Sequence, residues 1–276
     1  IVLLNLFLVS QNANTMIWQG LSVSTSDNLD AINLNPAGLG VNRGQQFALN
    51  IQQSEQMDLD NSNVYVLTMA RRFDCGFAVQ HNYDEVDRYQ WAMAFGSEIS
   101  DNFYAGFKYQ KSKDYSFGIL SRPYSYLSTG LTFFTNEDDT YRDIRYGLGL
   151  RPLEFFKVTK DKNKFINYSN LTFSYDKLVN YSPNWKEDDF NEMYSMSFNM
   201  IPGINIAFQK NNTSTYGINL SFDLGTKGIF LTTYPSSTIG NNNTGSNGFG
   251  FYSYSQKQNT RFKTYNSKTE NYIMLE

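Results

Sequence analysis

From residue 45 onward, apolar and polar side chains alternate with a period of two through most of this 276-residue chain. That period marks strands, in which successive side chains point to opposite faces. Phe47, Leu49 and Ile51 alternate with Ala48, Asn50 and Gln52, and Phe73, Cys75, Phe77 and Val79 with Asp74, Gly76, Ala78 and Gln80. Runs of the same kind cover 89–96, 103–110, 144–151, 170–176, 204–209 and 218–224. Less regular strands fit near 63–71, 115–121, 125–135, 192–201, 228–235 and 248–256, which makes about fourteen in all.

Composition narrows the class. Charged residues are only 18% and aromatics 16%, with 20 Tyr and 22 Phe, yet mean hydropathy is −0.47, so apolar and polar residues are interleaved rather than segregated. Thirty-one asparagines favour turns and loops over helices. A net charge of −3 offers no electrostatic reason to expect nucleic acid. One cysteine, Cys75, and one histidine, His81, exclude a disulfide framework, a Cys/His zinc site and any triad needing a second imidazole. No cofactor or metal is expected.

A soluble sandwich would alternate too, so the connections carry the choice. Tight links occur at 71–74, 97–101, 121–124, 202–203 and 225–227; longer polar links at 54–62, 82–87, 136–140, 180–191 and 236–247. Short and long alternate along much of the chain. An up-and-down barrel in an outer membrane produces this asymmetry, with brief turns at one rim and long loops at the other. The link from Pro152 to Tyr168 breaks the order, either as an excursion at the short rim or as a miscounted strand.

The two faces agree. One carries Phe, Leu, Ile, Met, Trp and Tyr; the other carries Gly, Ala, Ser, Thr, Asn and Gln, which suits lipid outside and a lumen inside. Unpaired backbone groups are not tolerated at membrane depth, so a spanning sheet must close. Tyr104, Tyr109, Tyr115, Tyr124, Tyr126, Tyr234, Tyr252 and Tyr254 fall near strand ends, where aromatic girdles form. Arg145 and Arg151 share the lumen face and could pair there with Asp176 or Asp223, as a salt-bridge network or a constriction.

Ahead of the strands, residues 1–9 are apolar and are followed by small polar residues, the pattern of a clipped signal peptide over 1–14. A segment over 15–44 then precedes the barrel at 45–256. Within it Ser26 or Asp27 can cap a short helix bearing Leu29 and Ile32, which Pro36 and Gly38 break. At Asn35-Pro36-Ala37-Gly38-Leu39-Gly40 the sequence resembles the Asn-Pro-Ala-Gly signature near the N-terminus of FadL-type and PorV-type outer-membrane proteins. The resemblance implies a fourteen-stranded barrel with an N-terminal hatch in the lumen, to which Asn35, Pro36, Ala37 and Gly38 would belong. In the FadL-like branch hydrophobic compounds diffuse through; in the PorV-like branch the barrel serves protein secretion and surface attachment.

Other motifs have plainer readings. Asp58, Asp60 and Ser62 recur like ligands of a calcium loop, but Met69 stands at its twelfth position, so a solvated loop is expected. The groups Glu137-Asp138-Asp139 and Glu187-Asp188-Asp189 read as solvated loops, His81 as a rim residue and Cys75 as a small hydrophobe. Residues 257–276 read as a periplasmic tail leading into a further domain. The expected whole is an all-β, transmembrane, antiparallel barrel in a bacterial outer membrane, in contact with its lipid and not an enzyme. It would pass hydrophobic or amphipathic small molecules without an energy source. The alternative is a barrel anchor, or a secretion-associated domain, that holds a periplasmic partner or a C-terminal protease of the signal-peptide-peptidase type.

Overall fold

The computed structural model describes residues 22–41, 45–54, 59–70, 73–82, 88–111, 113–136, 142–155, 171–181, 187–201, 204–212, 216–223, 227–234 and 246–254. Fourteen strands follow one another: β1 (Gln46–Ser54), β2 (Leu59–Ala70), β3 (Phe73–Asn82), β4 (Tyr89–Ser100), β5 (Phe103–Gln110), β6 (Asp114–Tyr124), β7 (Leu127–Asn136), β8 (Arg142–Leu150), β9 (Thr172–Tyr181), β10 (Glu187–Ile201), β11 (Ile204–Asn211), β12 (Tyr216–Asp223), β13 (Lys227–Tyr234) and β14 (Ser246–Tyr254). Each pairs antiparallel with its chain neighbours. β14 closes on β1, from Gln46 opposite Tyr254 to Ser54 opposite Ser246. Most of the strands, which run from 8 to 15 residues, reach the roughly 9–11 residues that a tilted strand needs to cross the hydrocarbon.

The pleat sorts the side chains. Outward positions hold Phe117 at 51%, Leu131 at 40% and Ile218 at 48% exposure, whereas inward Ala94, Ser116 and Thr132 are buried. A belt of large apolar side chains this continuous would be an aggregation surface in water and is the proper surface in lipid. At the belt's edge Trp91, Tyr109 and Tyr115 sit ring to ring, 5.8 and 5.3 Å apart, and Tyr124 stacks on Tyr126 at 5.2 Å. Tyr104 and Tyr252 do not join the girdle. Both fall on inward positions of their strands and are buried.

The rims match the link asymmetry, with three adjustments. β6 runs on to Tyr124 and turns only at 125–126, because Pro123, which has no N–H to donate, sits in the register shift between Ser121 and Tyr124. Asp60 and Ser62 lie within β2, and Glu187-Asp188-Asp189 open β10, so neither set is a loop; the polar outer ends of spanning strands rise above the apolar belt. Glu137-Asp138-Asp139 and Asp58 lie outside the described residues. The long link after β8 begins with a helical turn at Pro152–Phe155. The strands on either side of it, β8 and β9, pair antiparallel. At the tight turn between β4 and β5, Asn102 takes φ 61°, a left-handed conformation that asparagine tolerates.

An arginine placed at Leu131, mid-strand on the lipid face of β7, should lower stability by about 2–4 kcal/mol in a bilayer. Urea unfolding of the barrel in lipid vesicles reads this, and Leu131→Ala should cost much less.

Candidate functional site

Inside the barrel, residues 22–41 form a compact segment with nearly every side chain buried. A turn returns the Ser26 N–H to the Ser22 carbonyl at 3.1 Å, and two short 3-10 turns follow, Leu29–Ile32 and Pro36–Gly40. Asn28 precedes the first turn without a side-chain cap, so neither Ser26 nor Asp27 caps a helix as expected. Pro36 starts the second turn rather than breaking one. At that position its missing N–H leaves nothing unsatisfied and its fixed φ suits the turn.

Asn35 ties this segment together. Its Oδ1 accepts from the Ala37 N–H at 3.1 Å, capping the second turn. Its Nδ2 donates to the Val23 carbonyl at 2.8 Å and to the Ile119 carbonyl of β6 at 3.0 Å. Gly38 lets the Ser26 carbonyl approach where a Cβ would stand. The segment's apolar side chains, Leu29, Ala31, Ile32 and Leu39, cluster with Ala48, Ala78, Ala92 and Ala94 of the wall and with Tyr252.

The wall is shaped to receive it. Gly96, Gly106 and Gly118 lie directly opposite one another across β4, β5 and β6, and Gly130 faces Gly147 across β7 and β8. A Cβ on any of these would collide with the inner segment: with the Pro36 backbone at Gly96 and Gly106, with Asn35 at Gly118, and with Val23 at Gly130 and Gly147. Gly76 extends the band on β3, where a Cβ would stand 2.7 Å from Ile32 Cγ1. At Gly96, Gly106 and Gly130 backbone therefore lies on backbone.

Two charged clamps fasten the segment. The Arg122 guanidinium of β6 grips both carboxylate oxygens of Asp27, one of them at 3.0 Å, while its Nε donates to Ser128 Oγ at 3.2 Å. Ser128 in turn donates to the Ser24 carbonyl at 2.5 Å. At the other clamp Asp176 of β9 accepts from Arg145 Nε at 2.8 Å, from the Val23 N–H at 3.0 Å and from the Ser22 hydroxyl. A planar guanidinium fork matches a carboxylate and holds both groups in one geometry.

Arg145 and Asp176 are thus brought together. Arg151 is buried just past the end of β8, with its N–H on the Tyr126 carbonyl at 2.8 Å. Asp223 ends β12, and its side chain lies outside the described residues. Arg122, its pairing with Asp27 and the glycine band were not singled out by sequence reasoning. The available signal was positional, since Arg122 falls two residues after inward Leu120 and the glycines recur on the inward face of six successive strands. Cys75 lies on the lipid-facing parity of β3. His81 sits near the end of that strand, its ring 4.8 Å from that of Tyr89.

No family model and no curated protein sequence matches the chain. Solved structures do. The Acinetobacter baumannii outer membrane protein Omp33 aligns at TM-score 0.55 and 6% identity, over 78% of this chain and 99% of that one. The Ralstonia pickettii toluene transporter TbuX aligns at 0.53 and 7%, over 83% and 94%. The monoaromatic hydrocarbon channel CymD aligns at 0.51 and 7%, over 87% and 96%. The chain has the fold of outer-membrane β-barrels, including hydrocarbon channels, the kind of barrel that the FadL-type resemblance implies.

Replacing Arg122 with methionine strands a buried Asp27 carboxylate and should destabilise the docked segment by about 3–5 kcal/mol. Limited proteolysis of the folded barrel should then cut within residues 22–41. The double variant Asp27→Asn/Arg122→Met should be cut more slowly than the single one.

Proposed function

We propose that the chain is a passive conduit of a bacterial outer membrane, with residues 22–41 as a hatch that narrows the lumen without filling it. The supporting observation is an asymmetry of the interior. The hatch contacts described above lie on β1, on β3 to β9 and on β14, whereas the inward positions of β10 to β12 carry the buried polar side chains Ser195, Asn205, Asn219 and Ser221. Of these, Asn205 Oδ1 and Ser221 Oγ have no protein partner. Buried polar atoms of this kind call for water or a polar solute. We read this wall as the path of small amphipathic and polar molecules, which would move downhill.

A second reading, passage of aromatic hydrocarbons, is favoured by the names of two proteins that share the fold, the toluene transporter and the monoaromatic hydrocarbon channel. The anchor reading requires no passage at all. No enzymatic role is proposed.

Osmotic swelling of vesicles carrying the full chain separates these. Serine and glucose should enter several-fold faster than into empty vesicles, and faster still when residues 22–41 are deleted from a barrel that folds. Uptake of toluene without entry of either polar solute would favour the hydrocarbon reading. A lumen impermeable to all three, with or without the hatch, would leave the anchor.

A further inference from the structure

Between the hatch and the rim of longer links, the inner wall of β8 to β10 carries a group of polar atoms that the protein itself leaves unpartnered. Asp143 Oδ1, Asn180 Oδ1 and Asn191 Oδ1 are buried acceptors without a hydrogen bond, and Arg145 Nη2 is a buried donor without one. Asp143 and Arg145, both more than nine-tenths buried, share the inward face of β8. Asn180 lies directly opposite Asp143, which sets their Cβ atoms about 5 Å apart. Asn191 lies opposite Leu178, which lies opposite Arg145, so all four residues face the lumen from one patch of wall.

The patch is also held rigid. Arg145 is oriented by its Nε–H bond to Asp176, which leaves its buried Nη2 without a protein acceptor. The anchors that pin the hatch engage Asp176 and Gly147, deeper along the same strands, and do not use Asp143, Asn180 or Asn191. Resting on the reading of the barrel as a conduit, we propose that this patch is a binding subsite for a small zwitterion of the α-amino-acid kind. Its carboxylate would accept from Arg145 Nη2, and its ammonium would donate to the oxygens of Asp143, Asn180 and Asn191.

The chemistry discriminates among solutes. An anion would meet three oxygens for a single donor, and a simple cation would meet the fixed guanidinium. An apolar molecule would leave all four atoms stripped of water and unpaired, which is unfavourable for each. A molecule with a carboxylate beside an ammonium satisfies both halves of the patch at once, through charge-assisted hydrogen bonds.

Equilibrium dialysis of the purified full chain in detergent against radiolabelled serine tests the site without requiring passage, and swelling of the same preparation in vesicles tests passage without requiring the site. One serine should bind per chain, with glucose failing to compete. Asp143→Leu and Asn191→Leu should each weaken binding about tenfold. Arg145→Lys, which keeps a cation beside Asp176 but removes the second guanidinium nitrogen, should weaken it as well. Each variant is first checked for heat-modifiable gel mobility, so that loss of fold is not scored as loss of binding. Absence of serine binding to the wild type, equal competition by glucose, or binding indifferent to all three substitutions would each overturn the subsite. Binding without passage would overturn the conduit and leave the subsite standing; passage without binding would do the reverse.

Discussion

Hydrocarbon offers a backbone amide no partner, and every other feature of this protein follows from how the sheet meets that condition. An unpaired N–H or C=O at membrane depth is unfavourable by several kcal/mol, and an open sheet would present a whole row of them at each edge. Pairing of β1 with β14 along their full length removes both edges. Once the sheet is closed, the pleat has only two destinations for a side chain, lipid or lumen. Phe117, Leu131 and Ile218 therefore stand exposed without being misplaced.

Closure creates a second problem that the inner segment answers. The inside of a fourteen-stranded barrel is too wide for its own small side chains to fill. A segment laid along the wall can bury its apolar side chains there only if its backbone also finds partners. Asn35 meets that demand at two points and ties the segment to the Ile119 carbonyl of the wall, and the hydroxyls of Ser128 and Thr132 supply donors to the Ser24 and Leu34 carbonyls. The glycine band lets the segment come close enough for these bonds to form. Hydrophobic contact with the wall alanines gives the docking its bulk, and the Arg122–Asp27 and Arg145–Asp176 pairs give it register. A buried ion pair is a weak source of net stability and a strong penalty against any arrangement that separates it.

The same economy explains why the opposite wall differs. Where the segment is docked, several inward polar groups bond to it, among them Asp176, Arg122, Ser128 and Thr132. On β10 to β12 and toward the other rim on β8 to β10, inward Asn, Ser and Asp side chains keep polar atoms without protein partners. Such atoms are retained at a folding cost, which water or a bound polar group offsets.

Much of this was legible in the sequence because a period of two is a local property. Alternation such as Ile218, Leu220 and Phe222 against Asn219 and Ser221 needs no knowledge of the fold to be read, and with the rim asymmetry it was enough to name the barrel and its two faces. The inner segment was readable as a motif at Asn35 to Gly38, but not as a set of contacts. What the tertiary structure alone decided is which inward residues meet. Arg122 and Asp27 are 95 residues apart, and Tyr104 looks like a girdle residue until its parity is set against the lumen. Gly96, Gly106 and Gly118 become one surface only when three strands align. Alternation assigns a side chain to a face, whereas strand register and closure, which depend on the whole sheet at once, assign it a neighbour.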